Sequence, residues 1–126
     1  MKPENISVLL VDDEQEFTRV LARRLEIRGY LCKTAMDGES GIRLIENEAF
    51  DIVLIDLMMP GLSGLDTLRQ IKAINQSLPV ILLTGNRPVT DGIAGMRMGA
   101  FDYLIKPLDI DVLIDKIQLA LGSFSK

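Results

Sequence analysis

Five residues of this chain have the types and positions that phosphoryl chemistry requires. Asp12 and Asp13 follow the apolar run that starts at Ile6, Asp56 follows Ile52-Val53-Leu54-Ile55, Thr84 closes Val80-Ile81-Leu82-Leu83-Thr84, and Lys106 follows Tyr103-Leu104-Ile105. The three aspartates carry −3 and Lys106 +1, so the set sums to −2. Carboxylates within about 4–6 Å of one another raise each other's pKa, and one divalent cation would cancel the sum. The chain has no histidine and a single cysteine, Cys32. That rules out His-based nucleophilic or metal chemistry, a thiolate zinc cage and an intrachain disulfide. Oxygen ligands point to a hard cation, and magnesium suits two or three carboxylates plus sites left open for phosphate oxygens. Thr84 can donate to an anionic oxygen and Lys106 can meet it as a point charge. Such a set fits phosphoryl transfer, in which positioning and charge neutralisation do most of the catalysis and a carboxylate can itself be the acceptor.

These residues must be carried to one place from segments about a hundred positions apart. Five short apolar runs, near 6–11, 30–35, 51–55, 80–84 and 102–105, read as strands, three of them nearly continuous as in strands buried on both faces. Helical patterns separate them. Phe17, Val20, Leu21 and Leu25 recur at helical spacing, with Gly29 as the stop. Ile42, Ile45 and Ala49 form the second pattern behind a capping Asp37, and Leu65, Leu68 and Ile71 the third behind Ser63 and Asp66. In the last, Ile110, Leu113, Ile114, Ile117 and Leu121 share a face, Asp109 caps, and Leu108 can staple against Leu113. Alternating strands and helices predict right-handed crossovers and a parallel sheet covered on both faces, with ligands outside the carboxyl ends of the strands. All five candidate residues fall at those ends.

The chain has 126 residues, 48% of them hydrophobic, which fits one domain with a real core and excludes disorder. Fourteen basic against eighteen acidic residues give −4, and no Lys/Arg block is present, so direct nucleic-acid binding is not expected. No apolar run reaches the roughly 20 residues that span a bilayer, and Met1-Lys2-Pro3-Glu4-Asn5 has no signal-peptide core. A cytoplasmic protein without a membrane partner is the expectation.

The order and spacing of Asp12-Asp13, of Leu54-Ile55-Asp56-Leu57-Met58-Met59-Pro60-Gly61, of Thr84-Gly85 and of Gly99-Ala100-Phe101-Asp102-Tyr103-Leu104-Ile105-Lys106-Pro107 resemble the receiver domain of two-component response regulators over nearly the whole chain. The resemblance implies a flavodoxin-like, doubly wound α/β fold, a five-stranded parallel sheet of order 2-1-3-4-5 with five helices in one three-layer domain spanning 1–126. It further implies that Asp56 accepts a phosphoryl group from a phosphohistidine on a sensor histidine kinase or phosphotransfer protein. Asp13, Asp56 and the Met58 backbone carbonyl would bind Mg2+, with Asp12 acting mainly through water. Thr84 and Lys106 would contact the phosphoryl group, Thr84 and Tyr103 would be the switch residues, and Lys106-Pro107 would be a cis peptide. On this reading the domain is a signalling switch with its own phosphotransfer and dephosphorylation, not a turnover enzyme. The surface that changes is that of the fourth helix, fifth strand and fifth helix. The alternative is a Mg2+-dependent phosphatase with Asp56 as nucleophile. Such enzymes place a second aspartate two positions on, where this chain has Met58. A flavodoxin-like cofactor carrier is disfavoured because Asp12-Asp13-Glu14 would repel a phosphate, and an inactive receiver because the motif residues are all present.

Three expectations belong to this sequence alone. Gly92 and Gly95, after Pro88, cost the fourth helix about 2 kcal/mol of propensity, which predicts a loosely held helix, unless the glycines serve close packing instead. Val112 and Leu119 face outward on the fifth helix, a contact surface for a second copy or an output domain. Cys32 is expected to be an inert buried thiol.

Overall fold

The computed structural model describes residues 6–59, 61–85 and 89–122, with the backbone alone at 89–91. Ten elements alternate: β1 (Ser7–Val11), α1 (Gln15–Ile27), β2 (Leu31–Ala35), α2 (Gly38–Asn47), β3 (Ile52–Asp56), α3 (Gly64–Ile74), β4 (Val80–Thr84), α4 (Val89–Arg97), β5 (Asp102–Ile105) and α5 (Ile110–Ala120). All strand pairs are parallel, in the order β2-β1-β3-β4-β5. Side chains alternate across a strand, so each central strand feeds two cores. Leu9, Val11, Val53, Ile55 and Leu82 pack with Leu68 and Ile71 of α3 and Ile42 of α2. Val8, Leu10, Ile52, Leu54, Ile81 and Leu83 pack with Leu21 and Leu25 of α1 and with Leu113 and Ile117 of α5. This is the expected three-layer architecture, with strand limits moved by at most one residue.

Local signals held where a cap or a turn supplied them. Asp37 accepts from Ser40 N–H, Ser63 from Asp66 N–H, and Asp109 from the N–H groups of Asp111 and Val112. Gly29 takes φ +96° and closes α1 with its N–H on Glu26 O. The Lys106-Pro107 bond is cis. Pro60, Pro88 and the segments 1–5 and 123–126 lie outside the described residues.

Three expectations are corrected, and of the two readings of the α4 glycines close packing is the one supported. Val20 is exposed and Thr18 is buried in α1, because Thr18 Oγ1 turns back to Asp12 O. Ala49 lies past the end of α2. β2 has only one sheet neighbour, so Leu31, Lys33 and Thr34 are exposed and Cys32 is half-buried rather than buried; burial, followed by the charge of Glu26, still pushes its thiol up to about 12. The glycines of α4 provide clearance. A Cβ on Gly95 would lie 2.1 Å from Leu82 Cδ1, and one on Gly92 would lie 3.0 Å from the Tyr103 ring. Helix propensity was surrendered so that α4 can lie close on β4 and β5.

Candidate functional site

The switch in crossover direction between β1 and β3 opens a crevice at their carboxyl ends, and the acidic residues stand there. Asp12 and Asp13 leave β1, with Asp12 N–H tied to Ala35 O of β2. Asp56 is the last residue of β3, and Leu57 N–H bonds Leu83 O of β4. Gly64 allows α3 to start against this turn, since a Cβ there would lie 2.5 Å from Asp56 O and 2.6 Å from Leu57 Cα. Lys106 is fixed by its N–H on Thr84 O at 2.7 Å, joining the ends of β4 and β5.

The three aspartates converge: one carboxylate oxygen of each of Asp12, Asp13 and Asp56 lies within 4.8 Å of the others. Asp12 is fully buried and Asp56 is 4% exposed. Asp12 Oδ1 accepts from Glu14 N–H, and its Oδ2 lies 2.8 Å from Lys106 Nζ. Asp56 Oδ1 accepts from Met58 N–H at 3.3 Å, and its Oδ2 lies 3.6 Å from Lys106 Nζ. Burial first, and then the charge of Asp12, push the Asp56 carboxyl up to about 6; Lys106 and the Met58 N–H pull it back, and Asp13 adds to the rise. Burial alone would depress the Lys106 ammonium. Its hydrogen bonds to Asp12 and Glu14, with the charges of Asp12 and Asp56, outweigh that and hold it above the ordinary lysine value. Three hard, mutually repelling oxygen donors at that spacing fit a divalent cation, which would relieve the repulsion.

Thr84 is also buried, and its hydroxyl has no hydrogen-bond partner among the described residues. An unmatched buried donor of this kind is costly unless a ligand oxygen meets it. Tyr103 is half-buried with its ring against Gly92. Met58 lines an open cleft of about 580 Å³ together with Asp13, Glu14, Phe17, Asp56, Gly85 and Lys106. For two of these residues the sequence did not reveal the place beside Lys106. Glu14 bonds the Lys106 ammonium, and Phe17 places its ring 4.1 Å below it. The charge of Glu14 beside Asp12-Asp13 was a signal in plain sight; Phe17 was read only as a core position of α1.

Two buried aspartates and a half-buried third, one ammonium and one unpartnered hydroxyl meet at the switch point of a doubly wound sheet, a donor set that fits a divalent cation beside an anionic oxygen. The family model described as response regulator receiver domain matches residues 8–118. Response regulator ArlR of Staphylococcus saprophyticus is 37% identical over 114 residues, 90% of this chain and 51% of that protein. Transcriptional regulatory protein ZraR of Escherichia coli is 36% identical over 122 residues, 97% of this chain and 28% of that protein. The receiver domain structure from Clostridium thermocellum superposes with a TM-score of 0.89 at 37% identity, covering 95% of this chain and 97% of that one. This chain belongs to the response regulator receiver domain family of two-component signalling. It spans about half the length of ArlR and of a Bacillus subtilis regulator, YkoG, 39% identical to it, and about a quarter of that of ZraR. No helix among the described residues is long and apolar enough to cross a membrane.

Proposed function

We propose that the domain is a phosphorylation-controlled switch in which Asp56 takes a phosphoryl group from the phosphohistidine of a sensor histidine kinase or phosphotransfer protein in the cytoplasm. The observation that carries this reading is the grouping of the Asp12, Asp13 and Asp56 carboxylates within 4.8 Å, with Lys106 beside two of them. An Asp56 carboxylate oxygen attacks phosphorus and forms the P–O bond as the P–N bond to the donor imidazole breaks. The electron pair leaves with that nitrogen, which takes up a proton. Asp12, Asp13, Asp56 and the Met58 carbonyl would hold Mg2+, whose charge offsets that of the incoming phosphoryl oxygens. Lys106 neutralises one of those oxygens and the Thr84 hydroxyl donates to another. Phosphorylation changes the Asp56 charge from −1 toward −2 and adds acceptors. Thr84 moves to them, and Tyr103 and α4 rearrange. The altered face of α4, β5 and α5, on which Val112 and Leu119 are exposed, receives the output domain or a second copy.

The phosphatase alternative has no support in the site, since Met58 cannot act as a general acid two residues after the nucleophile. The two readings separate on incubation with Mg2+ and acetyl phosphate. The switch gives one acid-labile phosphoryl adduct per chain, abolished by Asp56→Asn or by a chelator. Continuous phosphate release from varied phosphoesters, or an adduct that survives Asp56→Asn, would overturn it.

A further inference from the structure

Lys106 must reach phosphoryl oxygens on Asp56, yet its ammonium is engaged elsewhere. It is 2.8 Å from Asp12 Oδ2, bonded to the Glu14 carboxylate and seated over the Phe17 ring, while Asp56 Oδ2 at 3.6 Å is beyond hydrogen-bond length. Two of its three N–H donors are therefore committed to residues at the start of α1. The two holders differ in what their release costs. Asp12 is fully buried, and losing its cation would strand a buried charge. The Glu14 side chain is 61% exposed and returns to water. Its backbone is anchored, N–H on Asp12 Oδ1 and carbonyl accepting Thr18 N–H, so only the side chain needs to swing.

We propose that Glu14 is a positioning residue for the phosphoryl-transfer site: at rest it holds the Lys106 ammonium back from Asp56, and it is the contact released when that ammonium advances to the phosphoryl oxygens. The inference deepens the assignment of Asp56 as phosphoacceptor and rests on it. Glu14 then competes with the phosphoryl group for the same donor, and shortening or neutralising it frees Lys106 in advance. Phe17 limits the swing to one direction by closing the space beneath the ammonium.

The test compares the rate of Asp56 phosphorylation by acetyl phosphate with Mg2+ in the wild type, Glu14→Gln, Glu14→Asp and Glu16→Gln. Glu16 is an exposed acid on the same helix turn that pairs with Arg19, and it controls for net charge. A latch predicts that both Glu14 variants react about twofold to fivefold faster, the range an exposed ion pair supplies, while Glu16→Gln matches the wild type. Simple repulsion of an anionic donor predicts a faster Glu14→Gln, an unchanged Glu14→Asp and an effect erased by salt, and that pattern overturns the latch. The 15N shift of Lys106 Nζ gives a readout that a structural role would not move. Glu14→Gln should shift it in the resting protein and leave it unchanged in the beryllofluoride-bound protein; equal shifts in both forms contradict the proposal. A wild type that forms no Asp56 adduct overturns the phosphoacceptor assignment itself, whereas an adduct with wild-type rates in both Glu14 variants overturns the latch alone.

Discussion

Asp56 is a carboxylate held where its charge is unwelcome. Its carboxyl is raised to about 6 by burial and by Asp12, so between the ordinary carboxylate value and that pH the folded chain keeps a proton that the unfolded chain gives up. This group's contribution is present at acid pH and is lost as pH rises through about 6. Without divalent cations, stability at pH 7.5 should therefore gain about 1–3 kcal/mol on Asp56→Asn, the range a shift of this size allows. The gain should shrink at pH 5 and disappear with Mg2+; urea denaturation of the two proteins under the three conditions checks this. Cys32 shows the same effect of burial on a thiol. With its thiol pushed up to about 12, alkylation at pH 8 should be slow in the native protein and rapid in denaturant. Asp12, Asp13, Asp56, Thr84 and Lys106 were legible in the sequence because each ends an apolar run. The acidity of Glu14 beside them was visible too, but its pairing with Lys106, and the place of Phe17 under that ammonium, come from the direction in which Lys106 folds back across α1, which no one-dimensional pattern encodes.

The elements were legible wherever one residue type has one physical use. Asp37, Ser63 and Asp109 could cap helices, and they do. Gly29 could take a positive φ, and it does. Glycine inside a helix has two readings, lost propensity or needed clearance, and only coordinates separate them. Gly64 and Gly95 prove to be contact points. Gly95→Ala forces the buried Leu82 side chain aside and should destabilise by about 1–3 kcal/mol, the usual range for overpacking. Gly64→Ala meets backbone at Asp56 and Leu57 instead of a movable side chain, so its cost should be larger and should be accompanied by weaker Mg2+ binding. Thermal unfolding and magnesium titration of both variants test the ordering. Edge position left a trace: Lys33 and Thr34 interrupt the run at 30–35, and β2 has one open side and exposes Leu31.

At the scale of the molecule, the fold is a device for bringing four strand ends to one crevice. The two cores that hold the sheet are separate from the residues that would react, so the site can carry repelling charge while the layers supply stability. The outward face of α5 is not needed by either core. Val112→Ser with Leu119→Ser, at positions 42% and 49% exposed, should change folding stability by no more than about 0.5 kcal/mol each. The same pair should weaken self-association or output-domain binding of the beryllofluoride-activated protein, read by sedimentation or titration calorimetry; unaltered association would remove α5 from the contact surface. The central claim is that Asp12, Asp13 and Asp56 act as one cation site beside the phosphoacceptor. Side-chain carboxyl 13C shifts during a magnesium titration of the metal-free protein test it most directly. Saturable shifts at all three aspartates, with one stoichiometric binding event that Asp13→Asn abolishes, are predicted; shifts at one aspartate alone, or none, would contradict it.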